Sequence, residues 1–442
     1  MLPKQQQKSP LKDMFKIDLR DLINMDHSLV SLSNLIDWQE IDTICSEFFN
    51  GKGRSALPSR LAVGLLLLKQ LDGLSDEEVC KKYVENPYYQ YFCGNQYFTH
   101  ELPLDSSSLT IWRNRIGSNT LEKVLGMTIA IGLEKKIVSK KDLGEVIVDT
   151  TVQEKAITFP TDSKLLQKSI SNITKLGKDL GICYRQSYIR TAKRLCTTAM
   201  RAAHSRKFNL MKSCNSKLKI RLGRVIRESQ RNLEELILTS KLPELKHFKL
   251  QEQLNLGIRL LQQNVKSENK LYSLHEAEVS CIAKGKVHKK YEFGSKVGIV
   301  STIKNNFIVG VKSFTGNPYD GKTLAPLVQI TEHKTNVAIK TILVDKGFRG
   351  VKRQFPDKVI MMSGQKNLTQ AQRDKLDKRS KIEPLIGIMK SKCGLGYNRL
   401  KGISGDKINL LLSAIASNLR IILKIIFLLI LSKIFYLKFR QI

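Results

Sequence analysis

Two short segments decide the fold of this chain: residues 146–149 read Val-Ile-Val-Asp, and residues 342–345 read Ile-Leu-Val-Asp. Apolar runs of this length, rich in Val and Ile, are typical of buried β-strands. Each run ends in an acidic residue, Asp149 in the first and Asp345 in the second. Because α/β sheets bind their ligands at the ends of strands, we predict that both carboxylates lie at a sheet edge.

A third acidic residue, Glu383, stands in a basic segment. From Lys378 to Leu400 it is the only acid among six basic residues. Arg379, four residues earlier, is spaced to form a salt bridge with it on a helix, and the spacing alone favours that interpretation. The other interpretation is that Glu383 binds a divalent cation close to phosphate groups. Pro384 fits the first turn of a helix better than its middle, so we expect Glu383 at a helix start or a kink.

Three carboxylates at one sheet edge are enough to hold Mg²⁺, which proteins bind through a few carboxylates, water and substrate phosphate. A pair of such ions is the usual arrangement for in-line displacement at phosphorus. Asp149, Asp345 and Glu383 are therefore our candidates for a two-metal site that acts on phosphate esters. Carboxylates so close together repel one another, and we expect the site to be poorly organised without metal.

The composition indicates a polyanionic partner. The chain has 442 residues and a formal net charge of +34, and nucleic acid is the simplest partner for such an excess. A ribosomal protein or a protein that binds anionic membranes would fit the charge as well. The eight Cys include no CxxC pair and the seven His no HExxH motif, which argues against a zinc enzyme and for reduced thiols in the cytosol.

Periodicity divides the chain into three parts. Residues 1–136 begin with a loose basic tail at 1–15 and then show helical spacing, which we interpret as an all-α N-terminal domain for DNA binding or assembly. Residues 137–423 alternate strands and helices and predict an α/β domain, with a mixed sheet and flanking helices. Residues 424–442 form an apolar tail that lysines interrupt, and we expect a buried or partner-binding helix there rather than a membrane anchor.

A basic helical insertion, residues 163–275, interrupts the predicted α/β domain. Between Lys164 and Arg227 there are 17 Lys and Arg against one acid, Asp179, and the apolar residues recur at helical spacing. A solvated coiled-coil arm is one interpretation. Because like charges at this density repel unless a partner neutralises them, we favour DNA as that partner.

Longer motifs carry a resemblance to a known family. Arg379, Glu383 and Lys390 form an Arg-x3-Glu-x6-Lys signature. Other matching segments follow in the family's order: residues 104–110 (Leu-Asp-Ser-Ser-Ser-Leu-Thr), 148–151 (Val-Asp-Thr-Thr), 316–321 (Gly-Asn-Pro-Tyr-Asp-Gly), 344–350 (Val-Asp-Lys-Gly-Phe-Arg-Gly) and 398–402 (Asn-Arg-Leu-Lys-Gly). From about residue 17 to residue 423, the chain resembles the DDE transposases of bacterial insertion sequences, in the group named after insertion sequence five.

The resemblance implies a ribonuclease-H-like catalytic core, in which Asp149, Asp345 and Glu383 are the catalytic residues and bind two Mg²⁺ ions, with Mn²⁺ as a substitute. The implied activity is DNA transposition: cleavage of double-stranded DNA at the ends of a mobile element, followed by strand transfer into target DNA. We further expect a homodimer in the bacterial cytoplasm, associated with the nucleoid and without a membrane partner.

Five basic residues are the candidates for DNA contacts. By the resemblance, Arg379 and Lys390 hold DNA phosphates, and Lys390 lies two helical turns beyond the glutamate of the signature on the same face. Arg349 belongs to the segment that follows the second aspartate. Arg113 and Arg115, in the last helix predicted for the N-terminal domain, either contact DNA phosphate or lie in solvent, and solvent is the favoured interpretation for either one taken singly.

Two positions depart from the family pattern. Leu376 stands where Tyr is usual, and Ile388 stands where His is common. These departures keep a second function open, that of a catalytically inactive DNA-binding derivative of a transposase. A general nuclease is a third and weaker alternative.

Overall fold

The computed structural model describes residues 16–48, 56–238, 244–264, 266–268, 270–283, 290–365 and 368–439. The prediction of a loose tail over residues 1–15 lies outside the described residues. Contacts divide the chain into two compact units. We call residues 1–154 together with 295–442 the core unit, and residues 155–294 the insertion unit.

The first part of the core unit is helical. Its helices are α1 (Leu19–Leu22), α2 (Ser28–Leu35), α3 (Trp38–Ser46), α4 (Ser59–Asp72), α5 (Asp76–Glu85), α6 (Pro87–Phe92), α7 (Ser106–Glu134) and α8 (Lys140–Leu143). Ser75 and Glu78 form a capping box at the start of α5. Gly117 interrupts α7 with a φ of 65°, a backbone conformation in which residues with a Cβ are strained.

Helices also make up most of the insertion unit. They are α9 (Asp162–Asp179), α10 (Ile189–His204), α11 (Phe208–Leu238) and α12 (Glu244–Gln262). These helices enclose a hydrophobic core of their own, to which α9 contributes Ile170 and Ile173 and α11 contributes Leu218 and Leu222. The apolar spacing noted in residues 163–275 thus forms the inner faces of packed helices, which leaves the basic residues to the outer faces.

The strands of the described chain are β1 (Glu145–Glu154), β2 (Ser280–Ala283), β3 (Tyr291–Thr302), β4 (Ile308–Phe314), β5 (Thr341–Val344) and β6 (Val359–Met362). In the core unit their order is β4-β3-β1-β5-β6. Strands β1, β5 and β6 are parallel, whereas β3 and β4 form an antiparallel hairpin. The mixed sheet with flanking helices confirms the predicted α/β class.

Asp149 differs from its prediction in one respect, since it does not end its strand. Strand β1 continues for five residues beyond it, to Glu154, because Thr150, Thr151 and Val152 are β-branched and favour an extended backbone. Strand β5 ends at Val344 as the sequence predicts. Asp345 therefore follows the end of β5, whereas the neighbouring strand β1 continues beyond Asp149.

The core unit continues with α13 (Asp320–Thr335), α14 (Gln370–Asp377), α15 (Ile382–Lys392) and α16 (Gly402–Phe439), with 3-10 turns at Lys346–Phe348, Val351–Gln354 and Lys378–Lys381. The segment Gly402–Ser432 is long and apolar enough to cross a membrane by length and composition alone. Its first half is a core helix, with Ile415 and Leu419 buried, whereas Phe427 to Leu429 are more than half exposed. The described part of the predicted tail, up to residue 439, continues this helix.

Candidate active site

The pairing of β1 with β5 brings the two strand-borne acids together. The strands are parallel, and the last pair of their register is Ile147 with Leu343. Asp345 keeps an extended backbone, with φ −82° and ψ 169°, so two residues beyond that pair the register sets Asp149 beside Asp345. Paired residues of neighbouring strands point to the same face of a sheet. Both carboxylates therefore belong to one face.

The third acid, Glu383, reaches the solvent from the first turn of α15. Ile382, Leu385 and Met389 bury one face of this helix in the core, which turns Glu383 to the outer face, where its side chain is 63% exposed. Pro384 lies in the first turn, immediately after the 3-10 turn Lys378–Lys381. The helix start that the sequence predicts at this proline is therefore confirmed, because an N–H is not needed there.

Arg379 connects the helix-borne acid with the sheet. Its Nη2 lies 3.2 Å from Oε1 of Glu383, and its Nη1 lies 3.9 Å from Oδ1 of Asp345. The salt bridge that the spacing alone favours is thus present, and it extends to a second carboxylate. Since one guanidinium reaches both acids, Asp345 and Glu383 lie within the span of a single side chain.

The three acids fit a divalent metal in chemical type and neighbourhood. Carboxylate oxygens are the ligands that Mg²⁺ prefers. Arg379 reaches both Asp345 and Glu383, and Asp149 lies on the strand that pairs with β5. Across the residues that the structure describes, no three His, Cys, Asp or Glu side chains are close enough to hold a metal ion as they stand. A cationic side chain, Arg379, takes up the space between two of the three acids, Asp345 and Glu383.

A fourth acid, Asp320, lies beside this site, and the sequence did not single it out. It is the first residue of α13, and its Oδ1 accepts hydrogen bonds from Thr150 Oγ1 and from Lys296 Nζ, both at 2.8 Å. Thr150 is the residue next to Asp149. The sequence carries one signal for Asp320, its position in the family-like motif of residues 316–321.

Lys390 lines a separate cavity of about 1050 Å³ in the core unit. The cavity lies among α4, α5, α7 and the end of α15, and its other basic residues are Lys69, Arg113 and Arg399. Asp76 Oδ1 binds Lys69 Nζ at 2.7 Å and Arg113 Nη2 at 2.6 Å. Burial, together with the charge of Arg113, lowers the pKa of the Lys69 ammonium. The four basic residues of the lining therefore exceed its three acids, Asp76, Glu77 and Glu78, by one charge.

The remaining predicted DNA contacts differ in their surroundings. Arg115 and Arg349 are exposed. Arg113 is 3% exposed and is held by Asp76, so its guanidinium joins two helices and has little surface left for DNA. The sequence could not separate Arg113 from Arg115, because both flank the same apolar helix positions and only packing decides which one is buried.

Two family models match the chain. One is described as a transposase domain, DUF772, and matches residues 17–115; the other is described as a transposase DDE domain and matches residues 275–419. The chain belongs to the DDE transposases. This transposase is also 44% identical, over 196 residues, to a protein of Rhizobium meliloti named uncharacterized protein ORF8 in nfe locus. That match covers 44% of the transposase and 95% of the Rhizobium protein. No solved structure matches the chain significantly.

The family assignment agrees with the main features of the transposase. A DDE domain implies a ribonuclease-H-like fold, DNA as the substrate and, in general, dependence on a divalent metal. The matched residues 275–419 contain Asp345 and Glu383, whereas Asp149 precedes them. The link between Asp149 and the matched domain is therefore structural, through the register of β1 and β5.

Proposed function

We propose that this transposase cleaves DNA at the ends of its own insertion sequence and joins those ends to target DNA, and that it belongs to the insertion-sequence-five group. One observation carries the proposal. The β1–β5 register sets Asp149 beside Asp345, while Arg379 reaches from Asp345 to Glu383. Two of the three carboxylates thus share one guanidinium, and the third lies on the strand that pairs with β5.

In the proposed reaction, Asp149, Asp345 and Glu383 hold two Mg²⁺ ions, which Mn²⁺ replaces. Metal held there would activate an attacking water or 3′-hydroxyl and stabilise the leaving oxygen. Arg379 balances the carboxylates in the free protein. When they bind cations instead, its guanidinium becomes available to a DNA phosphate, which suits its planar fork of donors. Because nicking and strand transfer are both in-line phosphoryl transfers, one site serves both.

In this proposal, the cavity around Lys390 binds a part of the DNA strand that lies next to the reacting bond. Lys390 lies seven residues after Glu383 on α15, which is about 10 Å along the helix. A strand whose phosphate is held near Glu383 can therefore place a neighbouring phosphate at Lys390, with Lys69 and Arg399 behind it. Charged hydrogen bonds of this kind are about twice as strong as neutral ones.

The insertion unit supplies a second surface for duplex DNA in this proposal. On α11, Lys217, Arg224, Arg227 and Arg231 are exposed and recur at helical spacing along one face. Among the described residues, none of these four forms a salt bridge. The 31 residues of α11 extend over about 46 Å, comparable with about 13 base pairs of duplex. A phosphate backbone would neutralise charges that the protein leaves unbalanced.

We further propose that the transposase acts as a homodimer in the bacterial cytoplasm, at the nucleoid. The two ends of one element must be brought together before they are joined to the target, and two copies of one active site supply one site for each end. Duplex DNA, as element ends and as target, is the proposed partner.

The test uses the full-length transposase with labelled duplexes that carry the inverted repeats flanking its gene. With Mg²⁺ present, we expect cleavage at the repeat ends, which Asp149→Asn removes and Asp357→Asn preserves. Asp357 is exposed and lies away from the three acids in sequence, so it controls for the loss of a carboxylate. Tight binding of the repeat ends without cleavage under any metal condition would favour the inactive derivative, and cleavage of unrelated duplexes at equal rates would favour a general nuclease.

A further inference from the structure

Asp320 holds together three elements that surround the strand-borne acids. Through Oδ1 it binds Thr150 on β1 and Lys296 on β3, both at 2.8 Å. Its Oδ2 lies against Gly347, two residues after Asp345, where an added Cβ would come within 2.8 Å of that oxygen. One carboxylate therefore touches the strand of Asp149, the neighbouring strand and the turn that begins at Asp345.

The neighbour of Asp320 in the chain adds to this connection. Tyr319 Oη donates a hydrogen bond of 3.0 Å to the carbonyl of Arg349, in the same turn after β5. Lys296 Nζ also donates to the carbonyl of Pro318 at 2.7 Å. The motif of residues 316–321 is thus fastened to β3 at one end and to the turn after β5 at the other.

Asp320 acts from the side of the sheet opposite the Asp149 side chain. Successive residues of a strand point to opposite faces, so the Thr150 hydroxyl points away from the side on which the Asp149 side chain lies. The Thr150 N–H donates to Oδ1 of Asp149 at 2.7 Å, which links the two residues through their shared backbone. A change at Asp320 therefore reaches Asp149 through Thr150, without direct contact.

The charge of Asp320 is matched by that of Lys296. The Lys296 side chain is only 8% exposed, so its ammonium has little access to water and depends on the carboxylate for compensation. If that carboxylate were lost, the positive charge beneath the sheet edge would remain uncompensated. Such a charge opposes the binding of a divalent cation on the other face.

We infer that Asp320 is a positioning residue that fixes the separation of Asp149 and Asp345 and cancels the charge of Lys296 beneath the metal site. This inference rests on the proposed function, because it assumes that the strand-borne acids hold metal. Groups that orient metal ligands from behind commonly change metal affinity by about 10- to 100-fold when removed.

The test measures Mn²⁺ binding to the full-length protein without DNA, by electron paramagnetic resonance. We expect Asp320→Asn, which keeps the shape and the oxygen that accepts from Thr150, to weaken Mn²⁺ binding by about 10- to 100-fold. The double variant Asp320→Asn/Lys296→Gln should recover part of that loss, because the uncompensated ammonium is gone. Asp162→Ala, a change at the first residue of α9, is the control and should leave Mn²⁺ binding unchanged.

A purely structural role predicts a different pattern. In that case the double variant, which loses two partners, binds Mn²⁺ no better than Asp320→Asn, and this result would overturn the inference. Thr150→Val, which removes one hydroxyl at nearly constant shape, provides a second measurement if Asp320→Asn does not fold, and unchanged Mn²⁺ binding by that variant would also count against the inference.

One reference variant separates this inference from the proposed function. Asp149→Asn should abolish Mn²⁺ binding if the metal site is assigned correctly. If Asp149→Asn binds Mn²⁺ like the unaltered protein, the proposed metal site is wrong. If Asp149→Asn abolishes binding and Asp320→Asn has no effect, the metal site stands and only the role of Asp320 is refuted.

Discussion

The carboxylate site of the core unit and the basic helix α11 of the insertion unit differ in how their charges are paired. In the core unit, Asp345 and Glu383 share Arg379, and Asp320 is matched by Lys296. On α11, exposed cations such as Lys217 and Arg231 form no salt bridge among the described residues. Charged side chains that are paired with each other are held in a fixed geometry. Cationic side chains without such a partner attract any polyanion.

This difference in charge pairing suits two separate tasks, the chemical step and the binding of duplex DNA. A site for phosphoryl transfer needs reacting groups held within a fraction of an ångström, which partnered side chains provide. A surface that holds a duplex needs charge spread over a length, because phosphates recur regularly along DNA. Changes in the core unit should therefore affect chemistry, and changes on α11 should affect binding and its salt dependence.

The largest effect is expected for Glu383→Gln. Losing a metal-binding carboxylate removes several kcal/mol of transition-state stabilisation, so cleavage of element ends should fall about a thousandfold or more. Binding of the same duplex should remain within a few-fold of normal, because no cation is lost. Single-turnover cleavage measures the first quantity and a gel-shift titration the second. The control, Glu101→Gln at an exposed glutamate, should change neither cleavage nor binding. If Glu383→Gln cleaves at the normal rate, Glu383 is not catalytic.

A smaller effect, and one on binding, is expected on the insertion unit. Replacing Lys217, Arg224, Arg227 and Arg231 together with Gln should weaken duplex binding. The slope of log K against log salt should flatten by about 0.9 for each cation that contacts a phosphate. Titrations at several salt concentrations give this slope directly.

The matched control for that variant replaces four exposed lysines of the core unit: Lys123, Lys135, Lys140 and Lys141. It lowers the net charge by the same amount, so a general electrostatic effect would flatten the slope equally in both variants. Equal slopes would mean that α11 is not a specific DNA surface, and the comparison between the two units would fail.

The cavity residue Lys390 should give a still smaller effect. A charged hydrogen bond to phosphate is worth about 1.5–3 kcal/mol, so Lys390→Ala should lower cleavage of element ends by roughly tenfold or somewhat more. Lys392→Ala, two residues further along the same helix and exposed, should be close to normal. If both variants lose activity equally, the cavity has no special part in holding DNA.

The smallest effect is a change in stability at the N-terminal helices. Arg113→Gln should lower the free energy of unfolding by about 1–2 kcal/mol, because Asp76 loses one of its two cations while Lys69 still compensates it. Arg115→Gln, at an exposed position, should stay within about 0.5 kcal/mol. Urea denaturation followed by circular dichroism compares the two, and equal stabilities would contradict the structural role given to Arg113.

Much of the fold was predictable because it depends on local signals. The strands Val359–Met362 and Tyr291–Thr302 are rich in apolar and β-branched residues, which favour an extended backbone. The capping box at Ser75 and the helix break at Gly117 follow from the chemistry of single residues. These features require no knowledge of distant parts of the chain.

The site was predictable only in its residue types. Asp149, Asp345 and Glu383 were selected as acids next to apolar runs or among cations, together with a resemblance. Their neighbourhood depends on the register of β1 and β5 and on the reach of Arg379. The motif of residues 316–321 gives no local sign that its acid, Asp320, binds a buried lysine, Lys296.

The sequence by itself determined the family, the excess of positive charge and the identities of the three acids, because composition and motifs are properties of the chain. Tertiary structure alone decided which acids become neighbours, that Arg113 is buried while Arg115 is exposed, and that Asp320 supports β1 from behind. The physical reason is that burial and pairing depend on contacts between residues up to about two hundred positions apart, such as Asp149 and Asp345, and no local pattern specifies such contacts.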